Sequence, residues 1–186
     1  MMDKEKVEQA IRDLLIGIGE DPDREGLQET PKRVAKMYAE LLDGYQRTPA
    51  QHMEKQFTAE DSELVLVKDI PFHSMCEHHL LPFYGVGHIA YVPGADKVVG
   101  LSKLARILED ISLRLQLQEQ ITSEVAHTIA DNLDVEGVFV VLEAEHMCMS
   151  IRGVHKEGAS TVTKAALGCF KENSELRKEV LSMIRG

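Results

Sequence analysis

Cys76-Glu77-His78-His79 is answered far downstream by His146-Met147-Cys148. Each segment packs thiol and imidazole groups within a few residues, the density of soft donors that a zinc ion requires. A fold that uses both must bring two remote parts of the chain to one point, and that demand limits the topology more than any local propensity. Cys76, His79 and Cys148 make a three-ligand set, with His78 and His146 left over. A structural zinc is usually closed by four protein ligands, whereas a catalytic zinc keeps three and leaves the fourth position to water or substrate. The count points to an enzyme.

Periodicity places these segments in a scaffold. Val7, Ile11, Leu14, Leu15 and Ile18 recur at helical spacing, weakened towards the end by Gly17 and Gly19. Thr30-Pro31 reads as an N-cap followed by proline at the first helical position, and Val34, Met37, Tyr38, Leu41 and Leu42 give that second helix its stripe. Residues 45–62 form a connector. Leu64 to Ile70 and Val86 to Val92 read as strands, with the half-site 76–79 in the loop between them. Helical spacing returns at Leu104 to Leu115 and Ile121 to Leu133. Strands are predicted at Gly137 to Ile151 and Ala159 to Thr163, and a last helix at Ser174 to Ile184. The order predicts an α+β domain with one sheet face covered by helices. The other face and the sheet edges would need cover from a partner subunit. The expected division is an N-terminal helical region, 1–60, and a catalytic domain, 61–186.

Composition removes several function classes. At 186 residues there is room for one core, and with 5% aromatic residues that core must be built from Leu, Ile, Val and Met. No run approaches ~18 apolar residues, and Met1-Met2-Asp3-Lys4-Glu5 lacks the order of a signal peptide, so a soluble cytoplasmic protein with no membrane partner is expected. Three cysteines are too few and too unevenly placed for a disulfide framework, and Cys169 is expected to pack as a small hydrophobe. A net charge of −10 argues against nucleic-acid binding. Any bound anion must meet a local basic cluster.

Two such clusters stand out. Arg33 and Lys36, and Lys103 and Arg106, fall in the first turns of predicted helices, where a cation opposes the helix dipole unless an anion binds there. Strand alternation would set His146, Cys148, Ser150 and Arg152 on one face and Met147, Met149 and Ile151 towards the core. Arg152 would then lie roughly 13 Å from Cys148, a span suited to a nucleotide-sized substrate with a phosphate tail. Glu77 is either an orienting group for a ligand or a solvated loop carboxylate. Glu119 has nothing in its spacing to mark it.

Taken together, Thr30-Pro31-Lys32-Arg33-Val34-Ala35-Lys36, Cys76-Glu77-His78-His79, Gly100-Leu101-Ser102-Lys103-Leu104-Ala105-Arg106, Gln116-Leu117-Gln118-Glu119 and His146-Met147-Cys148-Met149-Ser150-Ile151-Arg152-Gly153 resemble GTP cyclohydrolase I, in order from Val7 to the end. The resemblance implies a tunnelling fold, an antiparallel ββααββ sheet with two helices, preceded by N-terminal helices and closed by a C-terminal helix. It implies zinc on Cys76, His79 and Cys148, and a homodecamer of two pentameric rings with active sites at subunit interfaces. Glu119 would receive the guanine ring of GTP, aided by Gln118 and by backbone near Leu101 and Leu117. Ser102 would sit at the ribose, and Arg33, Lys36, Lys103, Arg106 and Arg152 would gather the triphosphate. The implied reaction hydrolyses GTP at C8 and rearranges it to 7,8-dihydroneopterin triphosphate and formate, with zinc activating the water and His78, His146 and Ser102 moving protons. Leu117 departs from the valine common in the family.

Two other readings start from the same residues. A nitrile-reducing tunnelling-fold enzyme would use a cysteine nucleophile and a nicotinamide cofactor, which the paired half-sites speak against. A non-catalytic zinc- and nucleotide-binding assembly leaves the two spare histidines without a purpose.

Overall fold

The structure, a computed structural model, describes residues 2–186. Helix α1 (Lys4–Gly17) is capped by Asp3, whose side chain accepts from Lys6 N–H. Helix α2 (Thr30–Leu41) has Glu29, not Thr30, at its N-cap, with no side-chain cap. Thr30 is already helical there, and Pro31 sits in the first turn, where no donor is needed. The two helices pack chiefly against one another and leave Leu14, Ile18 and Met37 exposed. Two 3₁₀ turns, Asp43–Gln46 and Pro49–Met53, follow, and the second docks Met53 into the core.

The main sheet contains β2 (Val65–Cys76), β3 (Pro82–Pro93), β5 (Leu115–Gln116), β6 (Val135–His146) and β7 (Ser160–Gly168) in the order β5-β2-β3-β6-β7. All neighbours are antiparallel except the short β5, which runs parallel to the end of β2. A small separate ribbon joins β1 (Gln56–Thr58) to β4 (Lys97–Val99). Helices α3 (Leu101–Ser112) and α4 (Gln118–Asn132) cover one face, so the ββααββ order is present. Leu104, Ile107, Leu108 and Ile111 of α3 meet Ile121, Val125 and Ile129 of α4 over Ile89, Tyr91, Val140 and Leu142. Each such buried aliphatic side chain contributes about 1.5–3 kcal/mol.

The second face does not wait for a partner as the sequence reading expected. Ala90, Phe139 and Val141 are covered by Phe170 of α6 (Cys169–Glu172) and Val180 of α7 (Ser174–Arg185). The four-residue spacing of Leu176, Val180 and Ile184 builds the stripe that does this, and Asn173 caps α7. Cys169 packs against the same cluster, and burial pushes its thiol up.

Strands β2 and β3 are longer than their β-branched runs suggested because cross-strand pairing carries them on to Met75 and Pro82. A bulge between Val67 and Ile70 re-aims β2, with Asp69 in the left-handed region at φ 58. Strand β6, in contrast, stops at His146, and Met147–Ser150 forms a short helix, α5. Ser150 Oγ donates to Glu145 Oε1 and lies 3.1 Å from His146 O, which turns the chain back on itself. The alternation expected through Arg152 therefore fails. Met149 and Ile151 are exposed instead of facing the core, and Ser150 is buried.

One glycine locks the register. A Cβ on Gly85 would meet Glu143 O at 1.9 Å, so only glycine lets β3 lie this close to β6. That closeness holds the pairs Phe83↔His146 and Gly85↔Ala144.

Candidate active site

Cys76 ends β2 and begins a tight turn. Cys76 N–H donates to Leu81 O, Leu80 N–H returns to Cys76 O, and Leu80 takes a left-handed φ of 53. The turn projects His78 and His79 outward while β5 clamps its base, Glu77 N–H donating to Gln116 O at 3.3 Å. Helix α5 delivers Cys148 to the same point. The sulfurs of Cys76 and Cys148 and a ring nitrogen of His79 all lie within 4.8 Å of one another. Cys76 is buried, Cys148 half-buried and His79 exposed. This is a soft, pre-gathered donor set open on one side, which suits zinc with a free fourth position. Burial raises the Cys148 thiol, and the neighbouring Cys76 sulfur adds to the rise. A metal cation would reverse that order by favouring the thiolates.

Arg152 is exposed at the mouth of this cluster, its Nη1 donating to His79 Nε2 at 3.0 Å. It is not a strand's length away, as the extended reading had it, because α5 folds the chain back. His78 is exposed beside His79, their rings edge-on at 6.2 Å, and Glu77 Oε1 is 3.9 Å from His78 Nε2.

His146 is held on two sides. Its ring stacks on Phe83, and its Nε2 is 2.7 Å from Gln118 Oε1. Burial lowers its proton affinity, and the Glu119 carboxylate pulls the other way. Glu119 is exposed in the first turn of α4, one residue from the fully buried Gln118. Gln118 spends its amide inside the chain, on Leu142 O, Thr161 O, Thr163 Oγ1 and His146.

One end of the sheet thus gathers Cys76, His78, His79, Gln118, Glu119, His146, Cys148 and Arg152, with Leu117 at the N-cap of α4. The remaining predicted residues lie elsewhere. Helix α3 starts beside Val99, whose N–H donates to Tyr91 Oη, and Tyr91 pairs with Val65 at the opposite end of β2 from Cys76. Leu101, Ser102 and Lys103 therefore open α3 at the end of β2 away from Cys76, and Arg106 lies further along the same helix. Arg33 and Lys36 are exposed on α2. Neither α2 nor α3 has a side-chain cap or an acidic residue in its first turn to offset the basic pair there.

Phe83, Thr122 and Thr163 were missed from the sequence. Phe83 is brought to His146 only by strand register, which leaves no local mark. Thr122 did carry a signal, being a polar residue four positions after Gln118 on the apolar side of α4.

The family model for GTP cyclohydrolase I matches residues 7–185. The GTP cyclohydrolase 1 of Bacillus subtilis is 58% identical over 184 residues, covering 99% of this chain and 97% of that protein. The protein of the same name from Streptococcus suis is also 58% identical, over 99% of this chain and 98% of its own. That from Carboxydothermus hydrogenoformans is 56% identical, with 99% and 96% covered. Among solved structures, the archaeosine synthase QueF-Like in its apo form aligns with 59% of this chain and 97% of its own, at a TM-score of 0.49 and 15% identity. No helix among the described residues is long and apolar enough to cross a membrane.

Proposed function

The chain belongs to the GTP cyclohydrolase I family, and from that premise we propose that the gathered end of the sheet converts GTP and water to 7,8-dihydroneopterin triphosphate and formate. The observation that carries this reading is the Cys76, His79 and Cys148 donor set beside His146 and Glu119. Zinc on those three residues would supply a Lewis acid and an activated water for attack at C8. Glu119, free at the helix N-terminus, accepts from the guanine N–H groups, with backbone near Leu117 alongside. His146 and His78 carry protons to and from the ring nitrogens as the imidazole portion opens. Arg152, already at the cluster, meets the phosphate chain.

Ser102, Lys103, Arg106, Arg33 and Lys36 complete the site from other copies of the chain, Ser102 at the ribose and the cations on the triphosphate. Three features support this shared arrangement. Ser102 and Lys103 open α3 at the end of β2 away from Cys76, α1 and α2 expose Leu14, Ile18 and Met37, and the outer edges of β2 and β7 carry unpaired backbone groups. A homodecamer with interface active sites, working in the cytoplasm, is the proposed form.

The test is incubation with GTP before and after zinc removal, following formate together with pterin fluorescence after mild oxidation. Equal formate and pterin, lost on chelation and restored by zinc, are expected. Neither product from the zinc-loaded protein would sink the reading, and a stable monomer in sedimentation would sink the shared site.

A further inference from the structure

The orientation of the Gln118 amide follows from its partners. Its Nε2 lies 3.1 Å from Leu142 O, 2.9 Å from Thr161 O and 3.1 Å from Thr163 Oγ1. Two of these are peptide carbonyls, which only accept, so the NH₂ end must face them. A reversed amide would press its oxygen against two carbonyl oxygens at a site that is 1% exposed. The amide oxygen is left for His146, whose Nε2 is 2.7 Å away. An amide oxygen also only accepts, so His146 Nε2 must carry a hydrogen. In a neutral imidazole the other nitrogen is then bare.

The hydroxyls behind Gln118 leave no freedom to reverse this order. Thr122 Oγ1 is 2.6 Å from the backbone carbonyl of Gln118 and 2.6 Å from Thr163 Oγ1. The carbonyl takes the Thr122 hydrogen, so Thr163 donates to Thr122 and turns only lone pairs towards the Gln118 amide, whose two hydrogens are shared among Thr163 and the two peptide carbonyls. The donors form a closed circuit from side chain to backbone of one residue, and each bond polarises the next. Phe83, stacked on the ring with planes within 6°, keeps the imidazole from turning out of it.

We propose that Gln118 is a positioning residue that holds His146 as the Nε2–H tautomer, so that Nδ1 is the nitrogen through which His146 takes and returns protons during ring opening. This rests on the reading that His146 acts on GTP, and it assigns the side chain of Gln118 to the histidine instead of the guanine.

The experiment is ¹⁵N solid-state NMR of the zinc-loaded enzyme labelled at histidine, with the His146 signals assigned by their loss in His146→Gln. The expected spectrum has a protonated Nε2 and a bare Nδ1 at His146. Gln118→Met is expected to populate both tautomers and lower kcat about ten- to hundredfold, with KM for GTP within about threefold. Thr163→Val, which removes one acceptor behind Gln118, serves if the methionine variant does not fold. It should lower kcat by a smaller factor at unchanged KM and show some Nδ1–H. A bare Nε2 in the wild type, or variants with unchanged tautomer and unchanged kcat, would overturn the proposal. The spectrum needs no turnover, so wild-type protein that shows Nε2–H yet makes no product identifies the functional reading as the part at fault.

Discussion

The imidazole of His146 lies on the ring of Phe83 with centroids 4.5 Å apart and planes within 6° of parallel, the two residues being direct partners across β3 and β6. Phe83 is fully buried, so the stack is anchored in the core and the exposed side of His146 inherits that rigidity. Phe83→Leu keeps an apolar side chain and removes the flat support. It should lower kcat about ten- to hundredfold through misplacement of the imidazole, while costing about 1–2 kcal/mol of stability. Steady-state kinetics beside a melting curve checks this. A kcat within twofold of wild type would show that the stack has no part in turnover.

Cys148 tests the metal centre from the margin of the core, against which it packs half-buried. Cys148→Ser retains size and loses the soft donor, leaving two of the three gathered ligands. Metal affinity should fall more than about a hundredfold and activity with it. Metal analysis after dialysis is the measurement, and one equivalent of zinc held by the variant would remove Cys148 from the ligand set.

Arg152 and a metal ion compete for His79. An ion on Nε2 must displace the guanidinium, and an ion on Nδ1 puts a hydrogen on Nε2 facing the guanidinium's own hydrogens. Arg152→Ala should therefore tighten metal binding roughly three- to tenfold, the worth of one hydrogen bond and a nearby cation. The same variant should weaken GTP, raising KM about tenfold or more. Competition with a chromogenic chelator gives the first number and kinetics the second. Weaker metal binding in the variant would refute the competition.

His88 makes stability depend on pH. It is 4% exposed, and burial holds its proton affinity below the ordinary value, with Asp69 and Glu143 pulling it up and Lys68 pulling it down. Its Nδ1 accepts the Asp69 N–H at the β2 bulge, a bond that protonation would abolish. The unfolded chain binds the proton more readily than the native one. The contribution is therefore complete above an unfolded value of about 6.5 and is lost as pH falls from there through the lower folded value. His88→Gln should melt with a shallower dependence on pH between roughly 7.5 and 5.5 than the wild type. Equal slopes would mean that His88 does not titrate on unfolding.

Much of this arrangement was legible in the chain because it rests on local chemistry. The paired half-sites named the three side chains that the fold gathers into one donor set, and the stripes of α3, α4 and α7 named their buried faces. What stayed hidden depends on contacts between remote residues. The end of β6 at His146 is set by Ser150 bonding back to Glu145, so a run that reads as strand becomes a helical turn. Glu119 carries no periodic signal, and only the turn from β5 into α4 brings it to His146. Gln118 looks like a polar surface residue beside it, yet four of its contacts lie within the chain.

Helix α3 begins, with Ser102 and Lys103, at one end of β2 while its own C-terminus leads into β5 beside Cys76. On the proposed assembly each copy thus lends Lys103 and Arg106 to one catalytic centre and Cys148 to another. Two defective alleles, Cys148→Ser and Lys103→Ala, would then be inert alone and complement when coexpressed. Random mixing leaves roughly a quarter of centres with both halves intact. In genetic terms a null lesion at either end is rescuable in trans.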